Sequence, residues 1–570
     1  MMVNWKKILL ILSKAEKFKL LLISIFTILS ILMETFSIAL IIPIFDIIFL
    51  GNLEKYHYFT HFFLNEDLIS SEKNVKILIL ILLLAAFLFK NIFLIVFHYI
   101  STKFFYLVNL RVSKTLFNLY LNNNYNFFLN VKHDQFLRKV YSDSIGFREY
   151  LLSFQLFLSE FIFIIFLSSF LFISNPLIFI FCLIIFITVL AIYYFVFKRR
   201  VQVWGDLYQK SLGELQQLII DGIRGIKDII IYSFENRFYS QFSTYGKHTI
   251  FSQFKLNFAN TIPRFYMELV AIFALIVPLI FLVLNGFDIT TLIPIFALFA
   301  VSIFKAIPSI NRLISSYNNI KFYSASVDVC YDEIFSNQNL IKEKNNYDFY
   351  DSLEFKNLQY KYPGSGDFVL KKINFMIKKN QSLLIRGLNG SGKSTLLNII
   401  SGLITPSSGE ILLDNKSVTL GRLWAKKISY IQQNIFLLNC TIKENITSSY
   451  ESAVDSNKFS YVDKILSLSK IFENMPDSLN AIVGNNEKIL SGGQKQIISI
   501  ARALYKNSEL LIFDEANSAL DKNSSLELKN LLLELKGKKT IIFVTHEESF
   551  FKECFDKTYQ ILSGELIPEK

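Results

Sequence analysis

Six stretches of the 570-residue chain stay predominantly apolar for the roughly 20 residues that a helix needs to cross a bilayer core. They lie near 20–49, 75–101, 154–174, 177–197, 262–284 and 288–310. Ser174-Asn175-Pro176 and Asn285-Gly286-Phe287-Asp288 interrupt two pairs of them and read as tight turns on the outer side. The longer connections, 102–153 and 198–261, are polar with helical periodicity, and neither shows a core of its own. The membrane helices are therefore expected to continue through both. Residues 51–72 hold Tyr56, His57, Tyr58, Phe59, His61, Phe62 and Phe63. That density suits either a short interfacial helix in contact with a lipid tail or an ordinary aromatic belt.

After Lys321 the pattern changes. A polar stretch to about Ser352 reads as a linker, and from Leu353-Glu354-Phe355 onward strand-like and helix-like segments alternate to the end. The expected architecture is a six-span α-helical transmembrane domain over 1–320, a linker over 321–352, and an α/β domain over 353–570.

Composition supports this division. Apolar residues make up 52% of the chain, including 58 Phe and 27 Tyr, and they concentrate before residue 310. The net charge of +12 does not point to nucleic acid, because Lys and Arg crowd the flanks of the apolar runs, as in Lys198-Arg199-Arg200 and Arg138-Lys139. The positive-inside rule then puts both termini, both long connections and the α/β domain in the cytoplasm. Cys182, Cys330, Cys440 and Cys554 are scattered, which suggests neither a zinc site nor a disulfide framework. The apolar stretch from Leu20 to Leu50 is too long for a cleaved leader and reads as a retained helix.

Charges inside apolar segments cost about 2.5–3.5 kcal/mol each on insertion scales unless paired or wet. Lys90 lies mid-way along the second segment, Arg264 and Glu268 are one turn apart at the start of the fifth, and Lys305 and Arg312 share a face of the sixth. Two readings remain open. The cations line one water-filled cavity and bind an anion, or Arg264 pairs with Glu268 while Lys305 and Arg312 snorkel to the headgroups.

The chemistry is densest at Gly387-Leu388-Asn389-Gly390-Ser391-Gly392-Lys393-Ser394-Thr395, between the apolar run Ser382 to Ile385 and a helical pattern. Glycines let backbone N–H groups close around anionic oxygens, and a helix N-terminus adds partial positive charge. Lys393 reaches the β and γ phosphates, and Ser394 offers a hydroxyl to Mg²⁺. Leu490-Ser491-Gly492-Gly493-Gln494 is a second glycine-rich turn before a helical run. About 100 residues beyond the phosphate loop, it resembles the signature motif of ABC ATPases. Leu510-Leu511-Ile512-Phe513-Asp514-Glu515 is a buried strand ending in two carboxylates: Asp514 can hold Mg²⁺ and Glu515 can polarise the attacking water.

The resemblance to the ABC family runs across the soluble domain and implies further roles. Tyr362 in Tyr360-Lys361-Tyr362-Pro363 matches the aromatic that stacks on adenine. Gln433 in Ile431-Gln432-Gln433-Asn434 matches the glutamine that contacts Mg²⁺ and the attacking water. Ser518-Ala519-Leu520-Asp521 matches the D-loop, and His546 matches the switch histidine at the γ phosphate. Ile497 departs from the pattern, standing where the family usually has a basic residue. The resemblance implies an ATP hydrolase of the exporter half-transporter type, using ATP and Mg²⁺. Each ATP would be held between the phosphate loop of one copy and the signature loop of another, most economically in a homodimer.

Ile262-Pro263-Arg264-Phe265-Tyr266-Met267-Glu268, Pro308 to Tyr317 and Met33-Glu34-Thr35-Phe36 look like segments of the PglK-type ABC flippases for lipid-linked oligosaccharides. That resemblance implies a glycan on a polyprenyl pyrophosphate as cargo, with Lys90, Arg264, Lys305 and Arg312 complementing the pyrophosphate. An exporter of lipid A, a peptide or a hydrophobic drug is the alternative.

Overall fold

The computed structural model describes residues 2–39, 72–130, 136–174, 176–284, 289–336, 348–448, 454–484, 490–518, 520–546 and 548–569. Residues 51–71 of the aromatic stretch, Asn175 and 285–288 of the two expected turns, and Ala519 of the D-loop match lie outside them. The chain divides into two compact units. One comprises Met1–Asn122 and Val131–Asn339, the other Asn123–Asn130 and Leu340–Lys570.

The first unit is helical. Long helices run over Lys14–Ala39, Glu72–Leu121, Ser144–Ser174, Pro176–Arg224, Glu235–Leu284 and Ile289–Phe322. Four of them extend well into the polar connections, as expected when one unbroken hydrogen-bond ladder serves both lipid and water. Among the described residues, three stretches are long and apolar enough to cross a membrane: Lys14–Ser37, Leu80–Leu121 and Arg138–Ser174. Ile289–Phe322 packs against both Ser144–Ser174 and Glu235–Leu284. Ile303, Ile307, Ile310 and Ile314, at successive helical spacings, join a core with Phe163, Leu167 and Met267.

The first long connection contributes to a shared core rather than one of its own: Phe104, Phe105, Val108, Val112, Phe147, Tyr150 and Leu151 are buried with Ile8, Ile11 and Leu12. The apolar positions of that core come from segments far apart in the chain, so no single window reveals it. One expectation is corrected here: the linker expected over 321–352 begins as structure, with a helix over Ser324–Ser336. Val327, Cys330 and Ile334 form its buried stripe, and Lys7–Asp328 and Lys139–Glu333 ion pairs, both at 2.5 Å, hold its polar side. A π-helical turn over Arg138–Asp143 presents Lys139 to that pair.

The second unit is the α/β domain. Its six-stranded sheet runs, in spatial order, Glu565–Glu569, Lys557–Leu562, Ser382–Gly387, Thr540–Val544, Leu510–Asp514 and Ile428–Ile431. All pairings are parallel except the one made by Glu565–Glu569. Leu510–Asp514 and Thr540–Val544 are buried at every position, as near-continuous apolar strands are when helices cover both faces of a parallel sheet. A four-stranded antiparallel sheet packs beside it. The short helix Tyr125–Asn130, from the first connection, clusters with this unit, where Asn126 Nδ2 donates to Thr405 Oγ1 at 3.0 Å.

Candidate nucleotide site and membrane cation pockets

Parallel strands in register bring their carboxyl ends to one edge, where α/β folds bind ligands. Val544 is level with both Ile385 and Asp514, and Ile431 with Phe513. The phosphate loop, the Asp514-Glu515 pair, Gln433 and His546 all emerge just beyond those positions. Residues separated by up to 159 positions in sequence, Gly387 to His546, therefore meet at this edge.

The loop itself is shaped for an anion. Gly390 and Gly392 take φ of +80° and +103°, backbone that side chains rarely adopt, and Gly392 opens the helix Lys393–Ile400 with no side chain capping its first N–H groups. Ser391 Oγ is buried without a partner among the described residues. Lys393, only 6% exposed, donates to the carbonyls of Gly387 at 2.7 Å and Leu388 at 3.2 Å. Uncapped N–H groups, an unsatisfied hydroxyl and a buried ammonium fit phosphate oxygens. Gly387 packs against Ser391 and the strand carbonyl of Ile561, while Asn389 and Ser394 lie at the surface of the loop.

Glu515 sits at φ +52°, a strained backbone for a non-glycine residue, which aims its carboxylate across the strand ends. One oxygen accepts from Gln433 Nε2 at 2.6 Å, the other lies 2.9 Å from His546 Nε2, and Lys393 Nζ is 3.9 Å away. Beside it, Asp514 bonds the hydroxyls of Ser394 and, at 2.9 Å, Tyr430. Burial pushes the Asp514 carboxyl above its ordinary range, and the Tyr430 and Ser394 hydroxyls pull it back toward the charged form. Ser394, Asp514 and Gln433 form an all-oxygen donor set of the hard kind that Mg²⁺ takes.

Sequence reading missed Tyr430, whose only signal was a hydroxyl one residue before the end of a short apolar strand. Replacing Tyr430 with phenylalanine is expected to raise the Mg²⁺ concentration for half-maximal ATP turnover about tenfold. It also removes a bond to the charged carboxylate, so the acid limb of the rate profile moves to higher pH. A Mg²⁺ titration at fixed ATP over several pH values checks both.

The remaining candidates have local partners. Tyr362 Oη lies 3.0 Å from Thr395 Oγ1 and meets Tyr360 edge-on. Ser491 and Gln494 form a reciprocal capping box around Gly492 and Gly493, which fixes the start of the helix Gly492–Lys506. Ile497, the departure from the family pattern, packs on the apolar cluster beneath that helix. Asp521 caps Lys522–Leu535, and the Ser524 hydroxyl and N–H hold its carboxyl below the ordinary range.

In the helical unit the four cations fall into two groups. Lys305 Nζ lies 3.4 Å from Glu34, and buried Lys90 donates to Ser37 Oγ one turn on, also at 3.4 Å. Arg264 lies 3.2 Å from Glu268, and Arg312 donates to Glu160 at 2.5 Å and to Ser309 at 3.1 Å. Arg264 and Arg312 line one groove of about 600 Å³ with Ile272, Ile303, Phe304 and Ile307. The counter-ion Glu160 was missed, although a lone carboxylate inside an apolar segment is itself a signal.

Residues 370–518 match the family model described as ABC transporter. The ATP-dependent lipid A-core flippase of Haemophilus influenzae is 34% identical over 217 residues, 38% of this chain and 37% of that protein. The flippase of the same name from Yersinia pestis is 26% identical over 368 residues, 63% and 62% of the two chains. The chain thus spans between about a third and under two thirds of the length of these relatives. A solved bacterial Atm1-family ABC exporter with ATP bound superposes with a TM-score of 0.70 at 16% identity, covering 97% of this chain and 94% of its own. The chain has the fold of an ABC exporter and carries an ABC-transporter ATPase domain, which uses ATP and Mg²⁺.

Proposed function

We propose that the chain is an ATP-driven flippase that moves a polyprenyl-pyrophosphate-linked oligosaccharide from the cytoplasmic to the outer leaflet of a bacterial inner membrane. The observation that carries this reading is the groove in which Arg264 and Arg312 meet over walls that are otherwise largely apolar. Arg264 and Arg312 each engage a carboxylate through Nε, Glu268 and Glu160 respectively, and their remaining guanidinium N–H groups suit a compact polyanion, while the aliphatic wall suits a hydrocarbon tail. A hydrophobic drug needs no such pair. Lys90 and Lys305 supply a second cationic group beside Ser37 and Glu34.

In this reading the six long helices each span the bilayer, the ATPase unit is cytoplasmic, and two copies of the chain form a homodimer. Each copy contributes one phosphate loop and one signature loop to composite sites. Lys393 and the loop N–H groups bind phosphate oxygens, and Ser394, Asp514 and Gln433 would hold Mg²⁺, which supplies charge neutralisation when bound. Glu515 takes the proton of the attacking water, His546 and Gln433 orient that carboxylate, and Tyr362 stacks on the base. Asn389, Thr395, Ser491, Gly492, Gly493, Gln494 and Asp521 complete the nucleotide contacts. The cytoplasmic extensions couple closure of the ATPase domains to the membrane helices.

A second reading, export of lipid A with its core sugars, is favoured by the two relatives bearing that name, and the same groove would take its phosphates. The test uses sealed vesicles containing the full chain, ATP, and either labelled polyprenyl-pyrophosphate oligosaccharide or labelled core-bearing lipid A. ATP-dependent loss of one-leaflet accessibility for the first lipid supports the proposal. Loss for the second alone replaces it with the lipid A reading.

A further inference from the structure

A cavity of about 480 Å³ opens between the helices Lys14–Ala39, Glu72–Leu121 and Ser144–Ser174, within the size range of small-molecule sites. Its lining is unusual for a helical unit this apolar. Glu34, Glu149 and Glu160 contribute carboxylates, and Thr27, Ser30, Ser101, Ser153 and Ser159 contribute hydroxyls.

The three carboxylates suggest a cation at first, but the charge balance argues otherwise. Glu34 already faces Lys305 at 3.4 Å, Glu149 faces Arg148 at 2.6 Å, and Glu160 faces Arg312 at 2.5 Å. Each negative charge is met by its own positive one, so the cavity presents hydrogen-bonding atoms without net charge. A ligand matched to it is neutral and rich in donors and acceptors.

Two further observations point to such a ligand. Ser153 is 6% exposed and lines the cavity, and its hydroxyl is open to that space rather than committed to another described side chain. Gln155 turns its Oε1 to Ser101 at 3.2 Å, which leaves its amide hydrogens for another acceptor. Phe97 and Phe163 add aromatic surface to the same walls. Hydroxyl, amide and carboxylate groups beside aromatic faces are the surface that a pyranose ring requires.

We propose that this cavity is a saccharide subsite that holds a neutral sugar of the cargo, separate from the arginine groove. The Glu160–Arg312 pair is the wall between the two, since Glu160 lines the cavity and Arg312 the groove. The inference rests on the glycolipid-flippase reading and adds that the glycan, as well as the phosphate, is recognised.

The test is the labelling rate of Ser153→Cys by a water-soluble maleimide in the full-length protein, with the unsubstituted protein as background. Polyprenyl pyrophosphate bearing a neutral oligosaccharide is expected to slow labelling about tenfold, the effect of one or two hydrogen bonds. Sugar-free polyprenyl pyrophosphate and a cationic amphiphile leave the rate unchanged. Equal protection by the sugar-free lipid, protection by the cation, or no protection by any glycolipid overturns the subsite. Protection by core-bearing lipid A alone keeps the subsite and removes the polyprenyl carrier from the proposed function. Should Ser153→Cys fail to fold, Gln155→Leu serves instead: it lowers ATP-driven flipping of the sugar-bearing lipid about tenfold relative to the sugar-free one, and an unchanged ratio overturns the subsite.

Discussion

Replacing Glu515 with glutamine is expected to slow ATP hydrolysis roughly 10²- to 10⁴-fold, the contribution of a positioned general base. The geometry makes this carboxylate hard to replace. Its backbone is held at φ +52° by the flanking bonds from Glu515 N to Val544 O and from Ser518 N to Glu515 O. Both oxygens are engaged, by Gln433 at 2.6 Å and His546 at 2.9 Å. Glutamine keeps the shape but accepts no proton at neutral pH, so nucleotide binding survives within a few fold while phosphate release collapses. Steady-state phosphate release and equilibrium binding of a fluorescent ATP, measured on the same preparation, separate the two. Turnover equal to that of the native protein would remove Glu515 as the base and, with it, the reading of the strand-end cluster as a hydrolytic site.

The next largest effect is expected from Arg264→Ala combined with Arg312→Ala. Hydrogen bonds to charged groups contribute about 1.5–3 kcal/mol each, so losing both guanidiniums lowers lipid moved per ATP consumed by at least roughly a hundredfold. A purely structural explanation competes, because Glu160 is 8% exposed and loses its counter-ion when Arg312 goes. An unpaired buried carboxylate is strongly destabilising, although Arg312, itself close to half exposed, softens that cost. Adding Glu160→Gln distinguishes the two. If the defect comes from the orphaned carboxylate, neutralising it restores both Tm and transport. If the arginines hold the cargo, Tm recovers and transport does not. Recovery of transport would count against the arginine groove as a headgroup site.

The ATP site was legible in the sequence because its parts are short and local. A phosphate loop works through consecutive backbone N–H groups, so glycine, lysine and serine must follow in a fixed order. Asp514 ends one apolar strand with Glu515 directly after it, and His546 lies two residues beyond the end of another. The membrane half was legible only in outline. Helical periodicity shows which residues share a face, as for Lys305 and Arg312, but not which helix that face meets. The Arg264–Glu268 pair, one turn apart, was readable as one of two alternatives, whereas the partners of Lys305 and Arg312 lie far away in the chain: Glu34 is 271 positions from Lys305, and Glu160 is 152 from Arg312.

Taken alone, the sequence determined a membrane-type apolar half, an α/β half with a nucleotide loop, and the residue types that chemistry at phosphate demands, because each of these is written in spacings of a turn or a strand. Tertiary structure decided which charges neutralise one another, which hydroxyl supports Asp514, which shared core the first connection joins, and that Ser153 faces a polar cavity. Those outcomes depend on helices and strands packing across long separations, where burial and Coulomb attraction act through space and leave no periodic trace along the chain.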